Sequence, residues 1–282
     1  MFSNLKDITS KYKIGFDENY TNLSNEILII FNTDIIPITN DPYLLNIIGL
    51  YYNYTKNNYD LMKKYYLMAI DKDFSDAMTN LGNYYRKIEK NYDLMKKYYL
   101  MAIKIENIDA MNNLASYYEN IEINYDLMKK YYLMAIDKDD SSSMNNLGHY
   151  YHTIEINYDL MKKYYLMAIY KDDSSSMNNL GNYYENIEKN YDEMKKYYLM
   201  SINIGDSNAM VNFGIYYQLI DINYDEMKKY YLMAIDKENI KAMNNLAYYY
   251  TDIEINYDLM KKYYLMAIDK DNINAMYNLC NG

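Results

Sequence analysis

The chain has two histidines, His149 and His152, whose i, i+3 spacing lets one helix face offer two imidazoles to a common metal. A metal site needs a third ligand, and no Cys/His spacing accompanies the pair. The equivalent positions one repeat earlier hold Asn83 and Arg86, and those one repeat later hold Asn182 and Glu185. The histidines therefore read as variable surface residues, and no metal or cofactor is expected. Nucleophilic chemistry has as little to work with. There is no GxSxG, no glycine-rich phosphate loop and no Cys/His pair, Cys280 being the sole cysteine. Paired acids such as Asp139 with Asp140 fall in polar linkers, where helix capping is the simpler role. No catalytic residue is assigned, and an enzyme is not expected.

What must position any functional side chain is a repeat. The sequence NYDLMKKYYLMAI, or a near copy, begins at Asn58, Asn91, Asn124, Asn157, Asn190, Asn223 and Asn256, each start falling thirty-three after the last. Self-similarity at such a period is the mark of a solenoid, in which a unit buries its apolar face only against its neighbours. The unit from Asp140 to Lys171 divides into two helices. Met144, Leu147, Tyr151 and Ile154 fall on one face of the first; Tyr158, Met161, Tyr165, Ala168 and Ile169 fall on one face of the second. Asp and Ser before the first helix and Asn before the second are N-cap residues. Asn190 with Glu193, and Asn223 with Glu226, have the spacing of a capping box. Asp60, Asp93 and their equivalents suit the helix dipole and are expected to pair with the lysine at i+4.

Two small-residue slots recur. The first helix carries Gly49, Gly82, Ala115, Gly148, Gly181, Gly214 and Ala247; the second carries Ala69, Ala102, Ala135, Ala168, Ser201, Ala234 and Ala267. Glycine within a helix costs about 1 kcal/mol relative to alanine, so its recurrence points to close packing. Tyrosine, 42 of 282 residues, comes mostly in pairs, one ring expected in the core and the other at its edge with its hydroxyl in water. The lysine pairs at 63 and 64 and their repeats read as a solvated outer face. The Leu67–Met68 pair and its repeats are expected to pack against the next unit. If exposed, they would form an apolar stripe suited to self-association.

Half the residues are apolar and 24% are charged, with a formal net charge of -10. The acidic balance argues against a nucleic-acid partner, which calls for a basic stripe. The longest apolar run free of tyrosine, residues 27–31, is too short to span a membrane, and the N-terminus has no leader-like apolar segment, so a cytoplasmic location without membrane contact is expected. A single cysteine permits no internal disulfide. The 28 lysines to one arginine, with abundant Asn, Ile and Tyr, have the look of an AT-rich coding sequence.

AMTNLGNYY from Ala77, followed by NYDLMKKYYLMAI, resembles the tetratricopeptide repeat (TPR) and, more closely, the Sel-one-like repeat (SLR) of the same superfamily. Leu81, Gly82 and Tyr85 match the first-helix motif, and Met95, Tyr99 and Ala102 the second-helix slots; the count from Ala168 to Gly181 is that of the SLR linker. The glycine-rich turn of SLR units is replaced here by a shorter loop such as ENIEKN, and prolines occur only at Pro37 and Pro42. The composition is similar to that of arrays in large DNA viruses, which would place the chain in a host cytoplasm.

The resemblance implies an all-α, right-handed α-solenoid of antiparallel helix pairs. It implies seven repeats at 41–274 and a truncated first helix at 275–282 with Cys280 in the small slot; residues 1–40 diverge from the motif and are expected to form a helical cap. It also implies a concave face that holds a peptide or protein segment. The variable positions falling there are Leu50, Asn53, Asn83, Arg86, Ser116, Glu119, His149, His152, Asn182, Glu185, Ile215, Gln218, Tyr248 and Thr251, beside an asparagine ladder at Asn112, Asn145, Asn178 and Asn244. The expected function is a non-enzymatic protein-interaction scaffold, monomeric or weakly self-associating. Alternatives are a structural protein assembling through the Leu-Met stripe, or a cytosolic adaptor in ubiquitin-linked protein turnover. An enzyme of the cysteine-rich SLR kind is disfavoured by the lone cysteine.

Overall fold

Every regular element in the described residues, 24–281 together with Ile8, is helical in the computed structural model. The chain divides into two compact units, residues 1–138 and 139–282. In the first, α1 (Ser24–Thr33) precedes three antiparallel hairpins: α2 (Pro42–Tyr51) with α3 (Tyr59–Ile70), α4 (Ser75–Tyr84) with α5 (Tyr92–Lys104), and α6 (Ile108–Asn120) with α7 (Tyr125–Ile136). The second contains four hairpins: α8 (Ser141–Thr153) with α9 (Tyr158–Ile169), α10 (Ser174–Tyr183) with α11 (Tyr191–Ile204), α12 (Ser207–Leu219) with α13 (Tyr224–Ile235), and α14 (Ile240–Asp252) with α15 (Tyr257–Ile268). The final helix, α16 (Ile273–Asn281), packs on α15. The fold is an all-α repeat solenoid.

Of the segment expected to be a cap, residues 1–7 and 9–23 lie outside the described residues. Its α1 buries Ile27 and Ile30. Phe31 meets Tyr51 of α2 edge-on, and the Tyr51 hydroxyl donates to Asp34. The side chain of Cys280, expected in the small slot, also lies outside the described residues.

Each second helix opens on the predicted asparagine. The Oδ1 atoms of Asn58, Asn91, Asn124, Asn157, Asn190, Asn223 and Asn256 each accept the backbone N–H at i+3, at 3.1–3.2 Å. The capping boxes are not completed. The N–H groups of Asn190 and Asn223 already donate to the carbonyls of Tyr184 and Tyr217, so Glu193 and Glu226 pair instead with Lys196 and Lys229 at 2.9 Å. The same backbone bond explains the shortened turn. It closes a loop of Schellman type around one left-handed residue: Asn57, Lys90, Ile123, Ile156, Lys189 or Ile255, at φ 50–53°. In α2, α4 and α10 the helix widens into a π turn before this point, at Tyr52–Lys56, Tyr85–Glu89 and Tyr184–Glu188. A backbone bond thus does the work of the glycine-rich turn.

The glycine slot admits a ring. A Cβ at Gly82, Gly148 or Gly181 would lie 2.6 Å from ring carbons of Tyr99, Tyr165 or Tyr198, and these three rings are fully buried. Within the hairpin the edge tyrosines stack on one another: Tyr85 on Tyr98 at 5.6 Å and 3°, and Tyr184 on Tyr197 at 5.6 Å and 1°.

Three expectations are corrected. The lysine pairs are not a uniform solvated face. Lys63, Lys96, Lys195 and Lys228 reach the acid ending the next hairpin's first helix, Glu89, Glu122, Asp221 and Glu254, at 3.1, 2.5, 3.4 and 3.1 Å. Lys162 pairs likewise with Glu188. Nor does the second lysine bond the first-turn aspartate. Lys64, Lys97 and Lys163 lie over the rings of Tyr65, Tyr98 and Tyr164, 5.2–5.7 Å from the centroids. Finally, the Leu-Met pair is not packed away. Leu67, Leu100, Leu133, Leu166, Leu199, Leu232 and Leu265 are 40–46% exposed, because the core face of the helix is already taken by methionine, tyrosine and alanine. Only the methionine of each pair is half-buried.

Candidate partner-binding face

The side chains that vary between otherwise alike hairpins lie on the first helix, over the hydroxyl of the buried tyrosine on the second. Tyr99 donates to Asn83 at 2.7 Å, Tyr132 to Glu119 at 2.9 Å, and Tyr231 to Gln218 at 2.7 Å. Tyr198 donates to both Asn182 and Glu185, at 2.7 and 2.6 Å. A hydroxyl taken out of water needs an acceptor, and in these four hairpins a variable residue supplies it. Burial pushes the Tyr99 phenol up to about 12 and drives Tyr198, whose proton is also held by Glu185, further above the ordinary tyrosine range. These hydroxyls are fixed donors.

The remaining predicted residues are placed as follows. Leu50 and Glu185 are buried; Asn53, Asn83, Ser116, Asn182 and Ile215 are half-buried; His149 and Tyr248 are exposed. Arg86 reaches the carbonyl of Asn113 at 3.5 Å, and the Thr251 hydroxyl turns back to Ala247. His152 sits half-buried, edge-on to the rings of Tyr158 and Tyr183; burial lowers its pKa, and neighbouring His149 adds to the effect. In this hairpin the variable residues are both imidazoles, and the buried Tyr165 hydroxyl has no hydrogen-bond partner.

Three rungs of the asparagine ladder are engaged within the second unit. Asn145 accepts from Asn179 and Ser176, and Asn178 from Asn212, joining successive first helices at 2.9–3.1 Å. Asn244 donates to Asn272 at 3.4 Å, while half-buried Asn112 also has a partner. In the first unit, Asn80 donates in the same way to Asn46 at 3.0 Å. These amides join first helices of successive hairpins within a unit.

A cavity of about 270 Å³ opens on this face in the first unit, between the hairpins α2/α3 and α4/α5. Tyr66, Leu50, Asn53, Asn83, Tyr84 and Lys87 are among the residues that line it. Leu50 occupies the slot that holds Asn83 in the following hairpin and cannot accept a proton. The Tyr66 hydroxyl, on a residue only 1% exposed, therefore has no acceptor in this slot.

Sequence reasoning missed two features of the hairpins. One is the tyrosine hydroxyl row, signalled by the second tyrosine of every second helix. The other is the clasp between hairpins, in which a lysine meets an acid that also accepts a tyrosine hydroxyl: Tyr84 to Glu89 at 2.7 Å, Tyr183 to Glu188 at 2.8 Å. Its signal was an acid recurring at a fixed interval after the first lysine of each pair: Glu89, Glu122, Glu188, Asp221 and Glu254. Among the described residues, no helix is long and apolar enough to cross a membrane, and no cluster of His, Cys, Asp and Glu is arranged to hold a metal.

No known protein family and no curated protein matches the sequence. Solved structures do. A protective antigen of uropathogenic Escherichia coli with an SLR fold shares 18% identity and a TM-score of 0.59, over 99% of this chain and 67% of that one. A Sel1 repeat protein from Oxalobacter formigenes shares 21% identity and a TM-score of 0.58, over 79% and 96%. An immunity protein from Pseudomonas aeruginosa shares 19% identity and a TM-score of 0.51, over 69% and 80%. At these identities the likeness is one of fold: the chain has the SLR fold.

Proposed function

We propose that the chain is a non-enzymatic protein-interaction scaffold or adaptor, which presents the first-helix face of its hairpins to a peptide or protein segment. One observation carries this reading. The residues that differ between hairpins are gathered where rigid tyrosine hydroxyls and half-exposed polar side chains meet, so each hairpin offers a different contact on a common framework. A helical scaffold that varies only its presented side chains is suited to reading a sequence. Arg86→Ala, Glu119→Gln, His152→Ala and Glu185→Gln combined would test it. The two Gln substitutions preserve acceptors for Tyr132 and Tyr198, so the fold is expected to stand. Affinity capture from the source cell should then lose partners that the unaltered chain retains. Retention of the same partners by the folded variant would sink the reading.

A second reading, self-association, is favoured by the exposed leucines. In each unit the Leu-Met pairs place apolar side chains on the surface at every second helix, and such repetition suits contact with another copy. Sedimentation over a hundredfold concentration range tests this: a constant monomer mass removes it.

A further inference from the structure

The cavity lined by Tyr66 joins a phenol that its own hairpin's variable residue cannot satisfy to a space of side-chain size. In four other hairpins the buried tyrosine hydroxyl is satisfied by the hairpin's own variable residue, as Tyr99 is by Asn83, while that of Tyr165 is buried without a partner. Here Leu50 has replaced that residue, and a donor only 1% exposed faces an open cavity of about 270 Å³. This is just under the range of small-molecule sites, about 300 Å³ and above, and suits a single side chain. The walls are of two kinds. Leu50, Ile88 and the ring of Tyr84, whose hydroxyl is committed to Glu89, are apolar. Asn83 is polar: its Oδ1 is held by Tyr99, which leaves its NH₂ as a donor. Asn53 and Asn80 add amides, Tyr54, Asn57, Tyr59 and Lys87 complete the lining, and no carboxylate is part of it.

We propose that this cavity is a side-chain pocket for a tyrosine of a bound polypeptide. A phenylalanine would fill the apolar wall but displace water from the Tyr66 hydroxyl without offering it a partner. A small amide or carboxylate would satisfy the hydroxyl but leave the ring-sized wall empty. A phenol does both. Its oxygen accepts from Tyr66 and Asn83, and its own proton goes to the amide oxygen of Asn53 or Asn80. The proposal rests on the reading of this face as a docking surface and adds what one position of it recognises.

The test uses the full chain and two soluble probes, N-acetyl-tyrosinamide and N-acetyl-phenylalaninamide, titrated by calorimetry or ligand-observed NMR. The expected result is saturable binding of the tyrosine probe with a Kd of about 1 mM or below, at least about tenfold tighter than the phenylalanine probe. Tyr66→Phe, which keeps the ring that fills the hairpin, should erase that preference. Leu50→Asn, which installs the acceptor used in the next hairpin, should weaken the tyrosine probe about tenfold without removing any donor. Absence of saturable binding to the unaltered chain overturns the proposal, as does equal affinity for the two probes or a preference that survives Tyr66→Phe. Unaltered partner capture by a chain that ignores the tyrosine probe overturns the pocket alone. Tyrosine-probe binding together with failure of the groove substitutions to affect capture upholds the pocket and overturns only the wider face.

Discussion

Gly181 has a tyrosine ring where its Cβ would be, 2.6 Å from Tyr198 carbons. Gly181→Leu is expected to destabilise the chain by more than about 2 kcal/mol, because the ring is held by bonds from its hydroxyl to Asn182 and Glu185 and cannot move aside; an unaltered midpoint of chemical denaturation would refute this. Gly181→Ala, which adds only the clashing Cβ, is also expected to destabilise, though less than leucine, even though alanine stands in the same slot at Ala115 and Ala247. Ile156 presents the opposite case. It is β-branched, half out in solvent, and held at φ 53°, where Asn57 sits in an equivalent turn. Ile156→Asn is expected to stabilise by about 0.5–1 kcal/mol, since asparagine enters the left-handed region more readily. A lower melting temperature would show that the isoleucine is held there by packing.

At the scale of elements, the repeat, the division into two helices and the asparagine caps were all legible in the sequence. Each is a local property: periodicity of Met, Tyr and Ala, and a short polar side chain before a helix. What stayed hidden depended on pairs distant in sequence. The Lys162–Glu188–Tyr183 clasp joins α9 to the end of the first helix of the following hairpin, and no helical wheel brings those residues together. For the same reason the lysines seemed to belong to solvent and the leucines to the core. The candidate face was legible only as a set of variable positions; that several of them accept buried hydroxyls became visible with Tyr99, Tyr132, Tyr198 and Tyr231 in place. The clasp also has a measurable signature. Glu89 and Glu188 are held below the usual carboxylate range by Tyr84 and Lys63, and by Lys162 and Tyr183 respectively. Their contribution is present above the unfolded pKa near 4.5 and is lost as the pH falls through the folded value. Both partners are partly exposed, so each clasp counts for little alone: Glu188→Ala should cost no more than about 1 kcal/mol, less in high salt, as read by urea denaturation.

For the molecule as a whole, tyrosine dictates the response to alkali. Burial, with hydrogen bonds to Glu89 and Glu188, pushes Tyr84 and Tyr183 up to about 12, and burial alone takes Tyr99 to about 12, against an ordinary value of 10.0. Below pH 10 both folded and unfolded chains keep these protons and the stabilisation is complete. Between about pH 10 and 12 the unfolded chain ionises first, so stability falls with rising pH. Circular dichroism and tyrosinate absorbance are expected to change together in one steep alkaline transition, whereas gradual titration of helical protein would show that the rings are accessible.

The clasp between hairpins has a consequence for the history of the chain. Because the lysine, the acid and the tyrosine recur in register, deletion of residues 190–222, one full period, brings Lys189 before Asn223 and leaves Lys162–Glu188 and Lys228–Glu254 intact. Such a shortened chain should fold, and recombination between neighbouring copies of the coding sequence would produce it, or its lengthened counterpart, in a single event. The array is therefore a ruler whose length can be reset one whole graduation at a time, while the markings that distinguish one graduation from the next are carried along with it.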